Sequence, residues 1–204
     1  VRLLTFLLVF FPSILLADGF YLGAGGGVGV GLFQADYKSP INKDDQAVFV
    51  PLYVSAGYRH TFSSFSVSGE LEYLGYAGGK IEDTNKVGDD PEMRYNRGSL
   101  KGSYSAHLLL GFNYSPTVEI FGRVGTGKTK YEIGAENTEE VIPFKDSGTI
   151  NTTHLGLGAR FQANEDLAIK VEYRYLKNDK YNYPVFGETD SSSQFIAASL
   201  NFLF

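Results

Sequence analysis

Residues 65–73 read Phe-Ser-Val-Ser-Gly-Glu-Leu-Glu-Tyr, and the character of the side chain changes at every step. Phe65, Val67, Gly69, Leu71 and Tyr73 fall on one face of an extended chain, and Ser66, Ser68, Glu70 and Glu72 fall on the other. A period of two is the mark of a strand between two different environments. A helix would mix the two sets around its circumference and bury carboxylates among aromatics.

Working outward, the same alternation returns in seven further segments, near residues 20–32, 48–59, 100–114, 118–125, 153–161, 167–175 and 196–204. In 100–114, Leu100, Gly102, Tyr104, Ala106, Leu108, Leu110, Phe112 and Tyr114 oppose Lys101, Ser103, Ser105, His107, Gly111 and Asn113. The connections alternate in length. His60–Ser64, Ser115–Thr117 and Ala163–Asp166 are tight turns, whereas Phe33–Ala47, Gly75–Gly98, Tyr131–Gly148 and Leu176–Ser191 are long and polar. Eight strands with short and long connections taking turns predict an all-β, eight-stranded antiparallel up-and-down barrel with both termini at one end.

Composition agrees and removes several classes of function. Gly (24 residues), Tyr (14) and Phe (16) are abundant in a chain of 204 residues, a balance that favours strands. With no Cys there is no disulfide framework, thiolate metal site or thiol nucleophile. A net charge of -5 argues against a nucleic-acid partner, which demands a concentrated basic surface.

Residues 1–17, VRLLTFLLVFFPSILLA, place Arg2 before an apolar run that ends on the small residue Ala17. This reads as a cleaved secretory signal peptide. The run is shorter than a bilayer requires of a helix and contains Pro12. The mature domain is then 18–204, with 17 basic and 23 acidic residues once Arg2 is removed, net -6.

Alternation fits a soluble barrel and a membrane barrel equally well, so the decision rests on what each face carries. The polar parity holds Arg59, Glu70, Glu72, Lys101, Glu119, Arg123, Arg160, Lys170, Glu172 and Arg174. A soluble barrel would turn these to water, whereas a membrane barrel encloses them as a lumen charge network. With Asp18, Lys128, Glu165 and Asp166 the barrel portion counts seven positive and seven negative charges, so the network has the means to neutralise itself. The apolar parity places Phe20, Tyr58, Phe65, Phe112, Tyr114, Phe161, Phe202 and Phe204 toward the short turns, and Tyr73 and Tyr175 toward the long connections. Two aromatic rings at two heights are expected where headgroups meet hydrocarbon. The membrane barrel is therefore the expected form.

From Gly19-Phe20-Tyr21-Leu22-Gly23 to Ser199-Leu200-Asn201-Phe202-Leu203-Phe204, the chain resembles the small eight-stranded outer-membrane barrels of Gram-negative bacteria, represented by the OmpA membrane domain, OmpX and the Opa opacity proteins. The resemblance implies an outer-membrane location and monomeric insertion into outer-membrane lipid. It implies handling by periplasmic chaperones and the barrel-assembly machinery, with Leu200, Phe202 and Phe204 as the C-terminal assembly signal. It also implies a structural, adhesive or host-interaction role for four surface loops, with a host or extracellular protein as partner. Because the sequence ends on the last strand, an appended peptidoglycan-binding domain is not expected. A narrow porin-like channel and a lipid-modifying enzyme are the alternatives, since the family contains a few of each.

Several strings invite chemistry. Gly122-Arg123-Val124-Gly125-Thr126-Gly127-Lys128-Thr129 satisfies the P-loop pattern, but that motif opens a helix, and here alternation continues past it. Gly23, Gly25, Gly27, Gly29 and Gly31 leave one face of the first strand nearly bare, which makes room for long side chains from elsewhere in the lumen or for water. Ser105 and His107 lack an acidic residue at indicative spacing, so no triad and no catalysis are expected. His107 and His154 share the lumen parity, but a third ligand is not evident in the sequence, so no metal and no cofactor are expected.

Overall fold

The computed structural model describes residues 19–36, 44–78, 80–85, 94–137, 144–183 and 187–204. The expected signal peptide, residues 1–17, lies outside the described residues. The strands are β1 (Phe20–Asp36), β2 (Asp44–Phe62), β3 (Phe65–Gly78), β4 (Lys80–Asn85), β5 (Arg94–Ser115), β6 (Val118–Asn137), β7 (Phe144–Gln162), β8 (Leu167–Asn178), β9 (Tyr181–Tyr183) and β10 (Gly187–Leu203).

These segments make eight staves. β3 and β4 both pair with β5, and the chain breaks between them at Gly78, whose φ of 82° lies in the left-handed region open to glycine. The short β9 pairs with β10 above the reach of β8. All pairings are antiparallel between neighbouring staves, and β10 returns to β1 from Tyr21↔Leu203 to Asp36↔Glu188. Closure leaves no free sheet edge in the barrel body, the condition for strands to exist in hydrocarbon. The β2–β3 and β5–β6 turns have two residues each, and in the former Ser63 takes a φ of 57° between Phe62 and Phe65, as the first position of a two-residue primed turn requires.

Side-chain direction follows the predicted parity through the barrel body. Leu22, Leu52, Val54, Leu71, Leu110, Ile120, Leu157 and Ile196 are exposed on the outside, and no solvent-facing apolar area of this extent survives in water. Phe20 packs edge-on to Tyr58 and Phe65 to Phe112 at the short-turn end, while Tyr73 meets Tyr104 toward the other. Leu200, Phe202 and Phe204 also face outward.

Three expectations are corrected. The four polar connections are mostly strand: β5 and β6 stay paired from Leu100↔Tyr131 up to Arg94↔Asn137, and β1 with β10 up to Asp36↔Glu188. A ladder that has left the membrane has water on both sides, so its side chains no longer alternate and the period-two signal fades. Lys101 is the second correction. The register between β5 and β6 slips between Leu100 and Gly102, and the extra residue, Lys101, turns outward. A bulge of this kind reverses the face of one side chain. Lys128, counted with the lumen charges above, is also exposed on the outside.

Candidate functional site

The lumen is filled in three tiers. At the short-turn end, Glu119 lies between two guanidiniums: Arg59 donates from Nη2 at 2.6 Å and Nε at 2.9 Å, and Arg160 from Nη1 at 3.1 Å. Arg160 also stands over the rings of Tyr21 and Phe121. This tier borders a cavity of about 370 Å³ that opens between the turns and is lined by Asn113, Thr117 and Asp166 among others.

The middle tier joins three carboxylates to three cations. Glu70 and Glu72 come from β3, Arg123 from β6, and Lys170, Glu172 and Arg174 from β8. Around the barrel β3 and β8 stand four staves apart in either direction, diametrically opposed. Their side chains nevertheless meet: Lys170 Nζ reaches Glu70 Oε2 at 3.0 Å, and Arg174 Nη1 reaches Glu72 Oε1 at 2.7 Å. Arg123 donates to Glu70, sits 3.2 Å from Glu72 through Nη1, and lies 3.2 Å from Glu172 through Nε. Tyr21 and Tyr53 donate to Glu70 and Glu172 at 2.9 and 3.2 Å. All six ionised groups are buried, and with equal numbers of each sign every charge finds a partner, which burial demands.

The upper tier is apolar. Phe49, Tyr53, Leu74, Leu176, Phe195 and Ala197 form one cluster, with Tyr76 packed against it. Phe49 contacts Phe195 and Tyr76 edge-on at 5.9 and 5.4 Å. The glycine face of β1 makes room for it: a Cβ at Gly29 would stand 2.4 Å from that of Phe195, and one at Gly25 would stand 2.8 Å from the Tyr53 ring. The space that the bare strand leaves is thus taken by side chains of its neighbours, as close approach at strand glycines implies. Beside this cluster runs a hydroxyl and amide chain, Thr129 to Thr152 at 2.6 Å, Thr152 to Asn178 at 2.6 Å and Asn178 to Ser191 at 2.8 Å.

Of the ten charged residues predicted to share the lumen, nine occupy these two charged tiers. Lys101 instead pairs outside with Glu132 at 2.9 Å. The partners Tyr21 and Tyr53 escaped sequence reasoning, because a tyrosine on the polar parity gives no sign of which carboxylate it will meet. Closure also supplies a third potential metal ligand that spacing did not reveal: donor atoms of Glu72, His107 and His154 lie within 4.8 Å of one another. Both Glu72 oxygens, however, already accept from guanidiniums, so the carboxylate is committed to ion pairing. Ser105 is hydrogen-bonded to His107 Nε2 at 2.8 Å, and Glu72 approaches that same nitrogen at 3.7 Å. A relay needs its carboxylate on the opposite ring nitrogen, and among the described residues Nδ1 has no hydrogen-bond partner. The P-loop string stays extended within β6, with Arg123 in the lumen and Lys128 outside.

A closed antiparallel barrel that turns its charges inward and its Leu, Val, Ile and Phe outward is a membrane-spanning barrel. The chain belongs to the outer membrane protein beta-barrel domain family, whose sequence profile matches residues 7–204. Its location is therefore the outer membrane. Among solved structures it is similar to Neisserial surface protein A, at 13% identity over 92% of this chain and 98% of that one, with a TM-score of 0.50. It is also similar to Ail, the attachment invasion locus protein of Yersinia pestis, at 14% identity over 91% and 99%, TM-score 0.44. A major outer membrane protein from Thermus thermophilus aligns at 10% identity over 89% and 99%, TM-score 0.47. No protein of curated function matches the sequence. At these identities the likeness is one of fold.

Proposed function

We propose that this barrel is a surface-display scaffold: it anchors a raised sheet in the outer membrane and offers the connections at its far end to a host or other extracellular protein, without catalysis. The observation that carries this reading is strand length. About 9–11 residues cross a bilayer, yet β5 has 22 residues, β6 has 20 and β7 has 19. The surplus lies at the end away from the short turns, where β5 and β6 are still paired at Arg94↔Asn137. A paired ladder holds its tip in a fixed place, and binding residues usually sit on loops carried by such rigid scaffolds. The filled lumen supports a structural role over conduction, and the misplaced carboxylate beside Ser105 and His107 supports a non-catalytic one. Residues 1–17 serve export in this reading, and Leu200, Phe202 and Phe204 serve assembly.

The test compares cells expressing the full chain with cells expressing a version in which residues 137–144 are replaced by a two-residue turn. The expected result is loss of adhesion to host cells or matrix protein with unchanged heat-dependent mobility of the barrel on a gel. Equal adhesion by both, with the equivalent shortening of 85–94 also silent, sinks the proposal.

A further inference from the structure

Two imidazoles meet in the lumen with most of their hydrogen-bonding capacity unused. β6 runs between β5 and β7, and its residue Gly125 stands opposite His107 on one side and His154 on the other. Because Gly125 has no side chain, the two rings meet beside it, their centroids 4.9 Å apart and their planes at 75°. A Cβ at that position would overlap His107 Nδ1. Both histidines are buried, His107 at 5% and His154 at 1% exposure. Among the described residues, His107 Nδ1 and both nitrogens of His154 have no hydrogen-bond partner. Unpartnered buried polar atoms cost free energy, and where a native interior keeps several together, an ion is one of the few things that satisfies them.

The neighbours of His107 prepare it as a ligand. Ser105 Oγ lies 2.8 Å from Nε2, and Glu72 Oε1 lies 3.7 Å from the same atom. A hydroxyl oxygen and a carboxylate on that side hold the ring proton on Nε2, as the outer-shell partners of metal-binding histidines do. The lone pair is then on Nδ1, beside Gly125. His154 brings a second lone pair, since a neutral imidazole keeps one nitrogen unprotonated in either tautomer. The kind of ion follows from charge and donor count. Both Glu72 oxygens already accept from Arg123 and Arg174, so the pair offers two neutral nitrogens and no free carboxylate. A structural zinc ion takes four ligands. Any divalent ion would also add two charges to a tier whose six ionised groups already balance, which burial penalises. A soft monovalent d10 ion adds one charge and accepts two or three donors, and imidazole is among the ligands that suit copper.

We propose that His107 and His154 form a buried binding site for Cu(I), with Ser105 and Glu72 holding the His107 ring from behind. Nitrogens of the two rings lie within 4.8 Å of one another. A small rotation of either ring brings them to the roughly 3–4 Å that two nitrogens on one ion require at about 2 Å each. Spacing in the sequence gives no sign of this pair, because it exists only across the strand between the two histidines.

The experiment refolds the chain into detergent micelles in chloride-free buffer with silver nitrate, an air-stable monovalent d10 probe, because a pair buried this deeply is loaded as the barrel closes. The chain has no Cys, one Met and three His, so a His60→Gln/Met93→Leu background removes the other soft side chains. The expected result after gel filtration is one silver ion per chain, with X-ray absorption showing nitrogen neighbours. His107→Gln and His154→Gln each lower retained silver by more than about tenfold, the least that loss of even an outer-shell partner costs a metal site. Heat-dependent mobility on a gel shows whether each variant still forms the barrel. Should a variant not fold, the absorption spectrum of the parent decides: nitrogen neighbours support the site, and oxygen neighbours alone overturn it. Cu(I), supplied under anaerobic reduction, binds with the same stoichiometry as silver. A folded parent that retains no silver, equal retention by the folded histidine variants, silver retention without Cu(I) retention, or zinc(II) held as tightly as silver each overturns the proposal.

Discussion

The middle and upper tiers fill the same cylinder by opposite means. In the middle, three carboxylates and three cations reach across from β3, β6 and β8; above, Phe49, Leu74, Leu176 and Phe195 pack by apolar contact, and Tyr53 joins the two tiers through its hydroxyl on Glu172. The apolar tier satisfies itself at any closely packed arrangement, because dispersion and hydrophobic contact have little directionality. The charged tier does not. Lys170 meets Glu70 only if β3 and β8 end up opposed, so its pairing is complete only in a barrel closed at this strand number and register. The difference is a division of labour: contact supplies stability above, and ion pairing penalises wrong closure below. Buried ion pairs are better attested as devices of register than as net sources of stability.

The largest effect is expected from breaking the charged tier on one side. Glu72→Ala leaves Arg174 and Arg123 without one of their shared acceptors, and removing one member of a buried pair costs about 3–5 kcal/mol. Urea unfolding of the vesicle-inserted barrel, followed by circular dichroism because the chain has no Trp, measures it. A loss under about 1 kcal/mol would mean that water enters the tier and screens it. Phe195→Ala in the upper tier should come next, at roughly 3 kcal/mol, the low end for a buried Phe deleted beside other side chains able to relax. Its cost should not change with salt, whereas a salt-dependent cost would contradict contact packing.

A neutral deletion separates stability from register. Glu70→Met with Lys170→Met removes one charge of each sign, leaving Arg123 and Arg174 to Glu72 and Glu172. Replacing a buried pair by apolar groups of similar volume is often neutral or mildly favourable, so the double variant should unfold within about 1 kcal/mol of the parent. If the tier specifies closure, the same variant should refold with a larger misassembled fraction on unheated gels. Clean refolding would leave the middle tier with no role that the upper one lacks.

How much of this was legible differs by tier. The parity of nine lumen charges followed from alternation alone, because each strand buried in a membrane sees lipid on one side and lumen on the other. Their partners did not, since Glu70 and Lys170 are distant in sequence and meet only through closure. The upper cluster was hidden for a related reason: Leu74, Phe195 and Leu176 are apolar residues on the polar parity, and no strand viewed alone explains them. The raised ladder was hidden because Arg94 to Gly98 and Gly134 to Asn137 carry no period of two to read. The Glu72, His107 and His154 grouping likewise needs three strands in place.

Lys101 supplies the smallest expected effect and a direct check on the bulge. Strict alternation from Leu100 places it in the lumen, where a Lys101→Ala change would unbalance the ion pairs and cost as much as the other charged deletions. The register slip places it outside instead, with its side chain 51% exposed and paired to a half-exposed Glu132. An exposed pair of this kind contributes little, so Lys101→Ala should shift unfolding by no more than about 0.5 kcal/mol. A second substitution separates the two geometries further. Deleting Lys101 outright removes the extra residue and restores regular pairing between β5 and β6, with Leu100 still opposite Tyr131 and Gly102 still opposite Lys130, so every β5 residue above it keeps its face. Leu100 is half-buried beside Tyr131, and the deletion leaves it there; were Lys101 part of a regular ladder, its deletion would turn every β5 residue above it to the opposite face. A deletion that unfolds no more easily than the alanine variant confirms the bulge. A deletion that unfolds much more easily would place Lys101 in the regular ladder and overturn it.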